Sequence, residues 1–133
     1  MRIVESVCRV TFLVTLIACE LSGFRAMGND VVKVMVSYSA PNQHPPLADL
    51  TAVVGGDKYS WESLRAGADR RINLLPGPQD DRQLLFSYTF KGERRHWKGP
   101  EFGPGTGYQI EVKVDAAGRV SERHCVLPCQ LAP

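Results

Sequence analysis

Apolar residues recur at every second position along most of this chain, the signature of half-buried β-strands rather than helices. The clearest stretch is Tyr108-Gln109-Ile110-Glu111-Val112-Lys113-Val114, where Tyr108, Ile110, Val112 and Val114 share one face and Gln109, Glu111 and Lys113 the other. Such a strand belongs to an antiparallel sheet with one face on the core and the other in water. Asp115-Ala116-Ala117-Gly118 follows, with Gly118 suited to the left-handed position of a hairpin turn, and 119–124 reads as the returning strand with Val120 inward. Residues 83–91 set Leu84, Phe86, Tyr88 and Phe90 against Leu85, Ser87, Thr89 and Lys91, and Lys91-Gly92-Glu93 turns them into a strand over 94–98. Upstream, 31–39 and 50–54 are β-forming, the second ending at Gly55-Gly56-Asp57, and 71–75 is a short strand stopped by Pro76-Gly77-Pro78. Only 59–68 offers a helix, a turn or two capped by Ser60 or Ser63 and limited by Gly67. The pattern predicts an all-β fold over 31–133: a single antiparallel β-sandwich of roughly six to eight short strands, ending in a Cys-x3-Cys tail.

The N-terminal segment follows another rule. Arg2 and Arg9 precede an apolar run over 10–18 that ends in the small residue Ala18. A basic start, an apolar core of about 7–15 residues and a small residue before the cut make a secretory signal. The run is too short for a transmembrane helix, which needs about 20 apolar residues. Residues 1–18 are therefore expected to be a cleaved signal peptide, and 19–30, mixed and without period, a flexible tether. Plain secretion and translation from Met27 stay open as alternatives.

Leu16-Ile17-Ala18-Cys19 resembles the lipobox of bacterial lipoproteins. That resemblance implies acylation of the Cys19 thiol and a lipid anchor, which holds a protein stably when two or more chains are buried. Glu20 rather than Asp after the acylated position implies sorting to the outer membrane, facing the periplasm. The mature region, with its Leu-Leu-Pro-Gly strand end and Gly-Tyr-x-Ile-x-Val-x-Val-Asp-x-x-Gly segment, looks like small bacterial lipoproteins with an immunoglobulin-like or transthyretin-like sandwich. Fold analogy of this kind implies no activity.

Composition narrows the function classes. Nine prolines and twelve glycines favour turns over long helices, and a net charge of +2 is too small to point to nucleic acid as a partner. Cys125 and Cys129 in an exported chain are expected to form a disulfide. With His124 they also make a soft ligand set for Cu(I) or Zn, and resemble the Cys-x3-Cys copper site of periplasmic copper-delivery proteins, whose fold is helical and thioredoxin-like. Otherwise no cofactor is expected.

Lys91 and Arg94-Arg95-His96-Trp97-Lys98 read as an exposed strand whose charges discourage edge pairing, with Trp97 toward the core. The glycine- and proline-rich stretch 99–107 is a shaped loop, and Trp97, Glu101 and Phe102 are the expected contact residues for a partner. No Gly-x-Ser-x-Gly elbow or His-Glu-x-x-His occurs, and Asp80-Asp81 sits in a turn where adjacent carboxylates point apart. The expectation is a non-enzymatic, protein-binding or envelope-assembly lipoprotein. The alternatives are a cell-wall hydrolase inhibitor, given the Phe90-Lys91-Gly92 echo of lysozyme-inhibitor lipoproteins, and a copper or thiol-redox protein. The early-strand cysteine of those inhibitors is absent here.

Overall fold

The computed structural model describes residues 30–133. The expected signal peptide, Cys19 and the tether up to residue 29 lie outside the described residues. Eight strands follow one another: β1 (Val32–Ser39), β2 (Leu47–Val54), β3 (Asp57–Leu64), β4 (Asp69–Leu74), β5 (Leu84–Phe90), β6 (Glu93–Lys98), β7 (Tyr108–Asp115) and β8 (Val120–Val126). They form two four-stranded sheets, ordered β4-β1-β7-β8 and β3-β2-β5-β6. The fold is the expected all-β sandwich.

The core is the set of alternate positions read from the sequence. Val32, Val34, Val36 and Tyr38 of β1 and Tyr108, Ile110, Val112 and Val114 of β7 face Leu50, Ala52 and Val54 of β2 and Leu84, Phe86, Tyr88 and Phe90 of β5. The four strands that contribute these residues occupy the middle of their sheets. The outer strands are correspondingly less buried: β3 exposes most of its length, and so does β8.

Two expectations are corrected. Residues 59–64 are strand rather than helix. The Gly55-Gly56 turn folds β3 back on β2, setting Tyr59 opposite Ala52, Trp61 opposite Leu50 and Leu64 opposite Leu47. Pairing along this hairpin outweighs the weak local preference for a helical turn. The sandwich is also not antiparallel throughout, because β1 and β7 run parallel, Val32 beside Tyr108 through to Ser39 beside Asp115. The loop after β6 crosses to the other sheet at the end where β1 begins, and the Tyr108 amide donates to the Val31 carbonyl at 3.2 Å. Starting from the same end, β7 can only run alongside β1. An immunoglobulin sandwich pairs its first strand with its second. Here β1 pairs with β4 and β7 instead, so the strand order departs from the immunoglobulin arrangement.

Two local devices hold the sheets together. The Gly118 carbonyl in the β7–β8 turn accepts from the Tyr88 hydroxyl at 2.6 Å and from Arg95 at 3.1 Å, tying one sheet to the other. Gly118 has φ +78°, and the Phe90 ring lies directly beneath it.

At the opposite end, the segment between β4 and β5 is anchored by carboxylates. Asp80 accepts from the Gly56 and Gly77 amides at 3.2 and 2.8 Å, and Asp57 from the Leu75 amide at 2.7 Å. Arg82 in this segment is wholly buried, donating to the Asp30 carbonyl at 2.6 Å and the Gly77 carbonyl at 3.1 Å. Its own carbonyl accepts from the Tyr108 hydroxyl.

Candidate binding surfaces

The strands β6 and β8 are the free edges of the two sheets on one side of the sandwich. Successive residues of a strand point to opposite faces. The core side of β6 therefore presents Arg95 and Trp97, opposite Tyr88 and Phe86 on β5. The core side of β8 presents Val120, Glu122, His124 and Val126, opposite Val114, Val112, Ile110 and Tyr108 on β7. Trp97 and Val120 pack against the core, whereas the Glu122 and His124 side chains are only partly covered and Val126 is 55% exposed.

Contacts along this side fix the geometry. The Phe102 ring stacks on Tyr108 with centroids 4.0 Å apart and meets the edge of His124 at 5.2 Å. His124 Nδ1 shares a hydrogen bond of 2.9 Å with the Glu122 carboxylate. Arg95 lies 4.9 Å over the Phe90 ring, with the Glu93 carboxylate 3.7 Å from its guanidinium. Trp97 closes against Gly99, whose amide donates to the Leu84 carbonyl at 2.8 Å. The result is a shallow surface whose floor is aromatic and whose β8 rim is polar.

The expected contact residues divide accordingly. Trp97 and Phe102 both lie on this side, half-buried, while Glu101 points into solvent beside them. The basic cluster is split by strand alternation, with Arg95 and Trp97 inward and Arg94, His96 and Lys98 on the outer face. Arg94 donates to the Asp49 carbonyl, and His96 Nδ1 lies 3.0 Å from the Ser87 hydroxyl. Glu122 and Val126 were not singled out in the sequence. The alternation of β7 carries over to β8 and was the available signal.

The cysteines pair as expected, Cys125 and Cys129 being at bonding distance, 2.04 Å. Cys125 sits opposite Gln109 on the outer face, whereas His124 sits opposite Ile110 on the core side. The imidazole and the two sulfurs are therefore not brought onto one face. Among the described residues no group of three or more His, Cys, Asp or Glu is placed to hold a metal ion. Asp80 and Asp81 both serve backbone amides, Asp81 accepting from Gln83 at 3.1 Å. Burial raises the ionisation of Tyr38, Tyr88 and Tyr108 above the usual phenol range. For Tyr108 the attraction of Arg82 opposes that rise, and the charge of Asp81 adds to it. Among the described residues no helix is long and apolar enough to cross a membrane.

No protein-family model matches the chain. No curated protein matches it. Among solved structures, an NMR structure of a protein from Eubacterium rectale is similar at 10% identity and TM-score 0.46, over 79% of this chain and 96% of that one. A "putative cell adhesion protein" from Bacteroides ovatus matches at 8% identity and TM-score 0.39, over 72% of this chain and 44% of that one. Another so described, from Bacteroides fragilis, matches at 12% identity and TM-score 0.34, over 79% of this chain and 47% of that one. The chain thus spans under half the length of the two Bacteroides proteins.

Proposed function

We propose that this chain is a non-enzymatic binding module of the bacterial cell envelope, lipid-anchored through Cys19 to the outer membrane and facing the periplasm. Its protein partner docks on the β6–β8 side. One observation carries the docking side: the core-facing residues of β8 extend beyond the cover of the opposite sheet. An apolar side chain on the core side of a strand contributes most when something covers it, and Val126 is left 55% exposed. The free edge of β8 also presents backbone donors and acceptors to an incoming strand, a recognised way for a sheet to recruit a partner. A partner that lays a strand along β8 covers Val126 and meets Trp97 and Phe102 on the floor, with Glu122 and Glu101 at its rim. The lipobox-like Leu16-Ile17-Ala18-Cys19 and the paired Cys125 and Cys129, at home in an oxidising compartment, support the envelope address.

A photo-crosslinking residue introduced at Val126 or Glu122 of the full chain, expressed in its membrane, should trap one discrete partner. The same residue at Ser121 or Arg123, on the opposite face, should not. Equal crosslinking from both faces, or none from either, refutes the docking side. The address is tested separately: a Cys19→Ala chain that stays membrane-bound and of mature size refutes the anchor.

A further inference from the structure

We propose that the outer face of the β4-β1-β7-β8 sheet, under the C-terminal tail, is a second site that binds a small organic anion: a carboxylate or phosphate carried on a short apolar body. The face is built by register. One row across the sheet reads Asn73, Lys33, Gln109, Cys125, and the next Arg71, Met35, Glu111, Arg123. The tail after β8 is tied back by the Cys125–Cys129 bond, so that Cys129, Gln130, Leu131 and Pro133 form a wall over these rows. The groove enclosed has a volume of about 660 Å³. Sites for small molecules typically occupy about 300–1,000 Å³; this groove is of that size but lined mainly by polar groups, which suits a small charged ligand.

The charge in the groove selects the sign of the ligand. Glu111 is the one acidic side chain that lines it and is already engaged, its Oε2 accepting from Arg123 Nε at 2.8 Å and lying 2.7 Å from Arg123 Nη2. Lys33 and Arg71 have no carboxylate within ion-pair distance among the described residues. Two cations therefore face the groove unanswered, flanked by the amides of Asn73 and Gln109. A guanidinium and an ammonium so placed suit a carboxylate or a phosphate, the guanidinium in bidentate fashion. Met35 on the floor and Leu131 on the wall supply the apolar contact for the rest of the molecule. An inorganic anion would leave that contact unused. A cationic ligand would meet Lys33 and Arg71 directly.

The wall makes the site depend on the disulfide. With Cys125 and Cys129 reduced, the tail loses its covalent tie and the groove its roof. Binding should then weaken even though every charged group on the floor remains.

The test titrates the oxidised full-length chain by calorimetry and by amide NMR shifts. The probes are phenylacetate and phenylphosphate, set against phenethylamine, 2-phenylethanol and inorganic phosphate. The two aromatic anions should bind saturably and shift the amides of Lys33, Arg71 and Gln109, with the stronger of the two identifying the anionic group. Paired Lys33→Gln and Arg71→Gln substitutions, on a solvent-exposed face, should weaken binding at least tenfold with unfolding unchanged. The paired Cys125→Ser and Cys129→Ser chain should also weaken it, with the shifts at the floor retained in direction but reduced. The proposal is overturned if neither aromatic anion binds, if phenethylamine binds as well as they do, or if inorganic phosphate alone matches them. It is equally overturned if the shifts fall on Trp97 and His124 instead, or if the charge substitutions leave affinity unchanged.

Discussion

Gly118 and Gly92 allow two effects of a side chain to be separated, because both have φ +78° yet only one is enclosed. A Cβ on Gly92 would meet nothing within 4 Å, whereas a Cβ on Gly118 would lie 2.5 Å from Phe90 Cδ1, 2.7 Å from Cγ and 2.8 Å from Cε1. Placing an L-residue in the left-handed region costs about 1–2 kcal/mol. That cost applies to Gly92→Ala and Gly118→Ala alike. Forcing a methyl into a packed interior adds about 1–3 kcal/mol. The Phe90 ring, 6% exposed, is capped by Arg95 at 4.9 Å and Lys91 at 5.3 Å and has little room to retreat. Gly118→Ala should therefore destabilise by about 2–5 kcal/mol, exceeding Gly92→Ala by about 1–3 kcal/mol. For a domain whose stability is about 5–15 kcal/mol this is a large share. Urea unfolding followed by Trp61 and Trp97 fluorescence measures both variants. Adding Phe90→Ala should recover most of the excess in a double-mutant cycle, leaving only the backbone term. Equal losses at Gly92 and Gly118, or an excess that survives Phe90→Ala, would refute the account of a ring pressed under the turn.

The remaining expectations concern the buried polar groups and the tail. Burial raises the ionisation of Tyr108 and Tyr88 above the ordinary phenol value of 10.0, so each is held neutral by the fold and ionises more readily in the unfolded chain. That stabilisation is full below pH 10 and is lost as the pH climbs toward the folded values. Unfolding free energy measured by urea at successive pH values should fall above pH 10 more gently in Tyr108→Phe than in the parent; parallel curves would refute the assignment. Arg82→Ala removes both guanidinium hydrogen bonds and leaves a void, and should cost about 3 kcal/mol or more by thermal circular dichroism. A loss below about 1 kcal/mol would mean that Arg82 does not anchor the segment before β5. Removing the Cys125–Cys129 bond, which closes a very short loop, should lower stability by at most about 2 kcal/mol in the same measurement, and a larger loss would mean the tail supports the core.

Much of the fold was legible in residue order because the central strands are buried on one face only. Tyr108, Ile110, Val112 and Val114 declare their side of the sheet, and the hairpins at Lys91-Gly92 and at Asp115 to Gly118 declare their turns. β3 was not legible because it is an edge strand: Ser60, Glu62 and Ser63 need no cover, so its alternation is weak. The parallel pairing of β1 and β7 was hidden for another reason, since a half-buried strand alternates in the same way beside either kind of neighbour. At the candidate surfaces, the inward side of Trp97 followed from alternation. The stacking of Phe102 on Tyr108 depends on how a glycine-rich loop returns, which no period records. Arg82 lay concealed in Asp80-Asp81-Arg82, a run that reads as a solvated turn. The groove beneath the tail arises from residues brought together only after the chain has left its last strand.

The parallel pairing of β1 with β7 has a kinetic consequence. Each hairpin, β2–β3, β5–β6 and β7–β8, joins neighbours along the chain and can form as soon as its own residues are free to meet. β1 cannot: one of its partners, β7, comes almost at the other end of the domain. Loop closure over such a separation must precede any reward from the pairing, which is why non-local topologies fold slowly. Until β7 arrives, the valine-rich core face of β1 has only β4 beside it, and its other edge is an open template for another unfinished chain. The last third of the sequence thus sets the pace at which the first strand becomes safe.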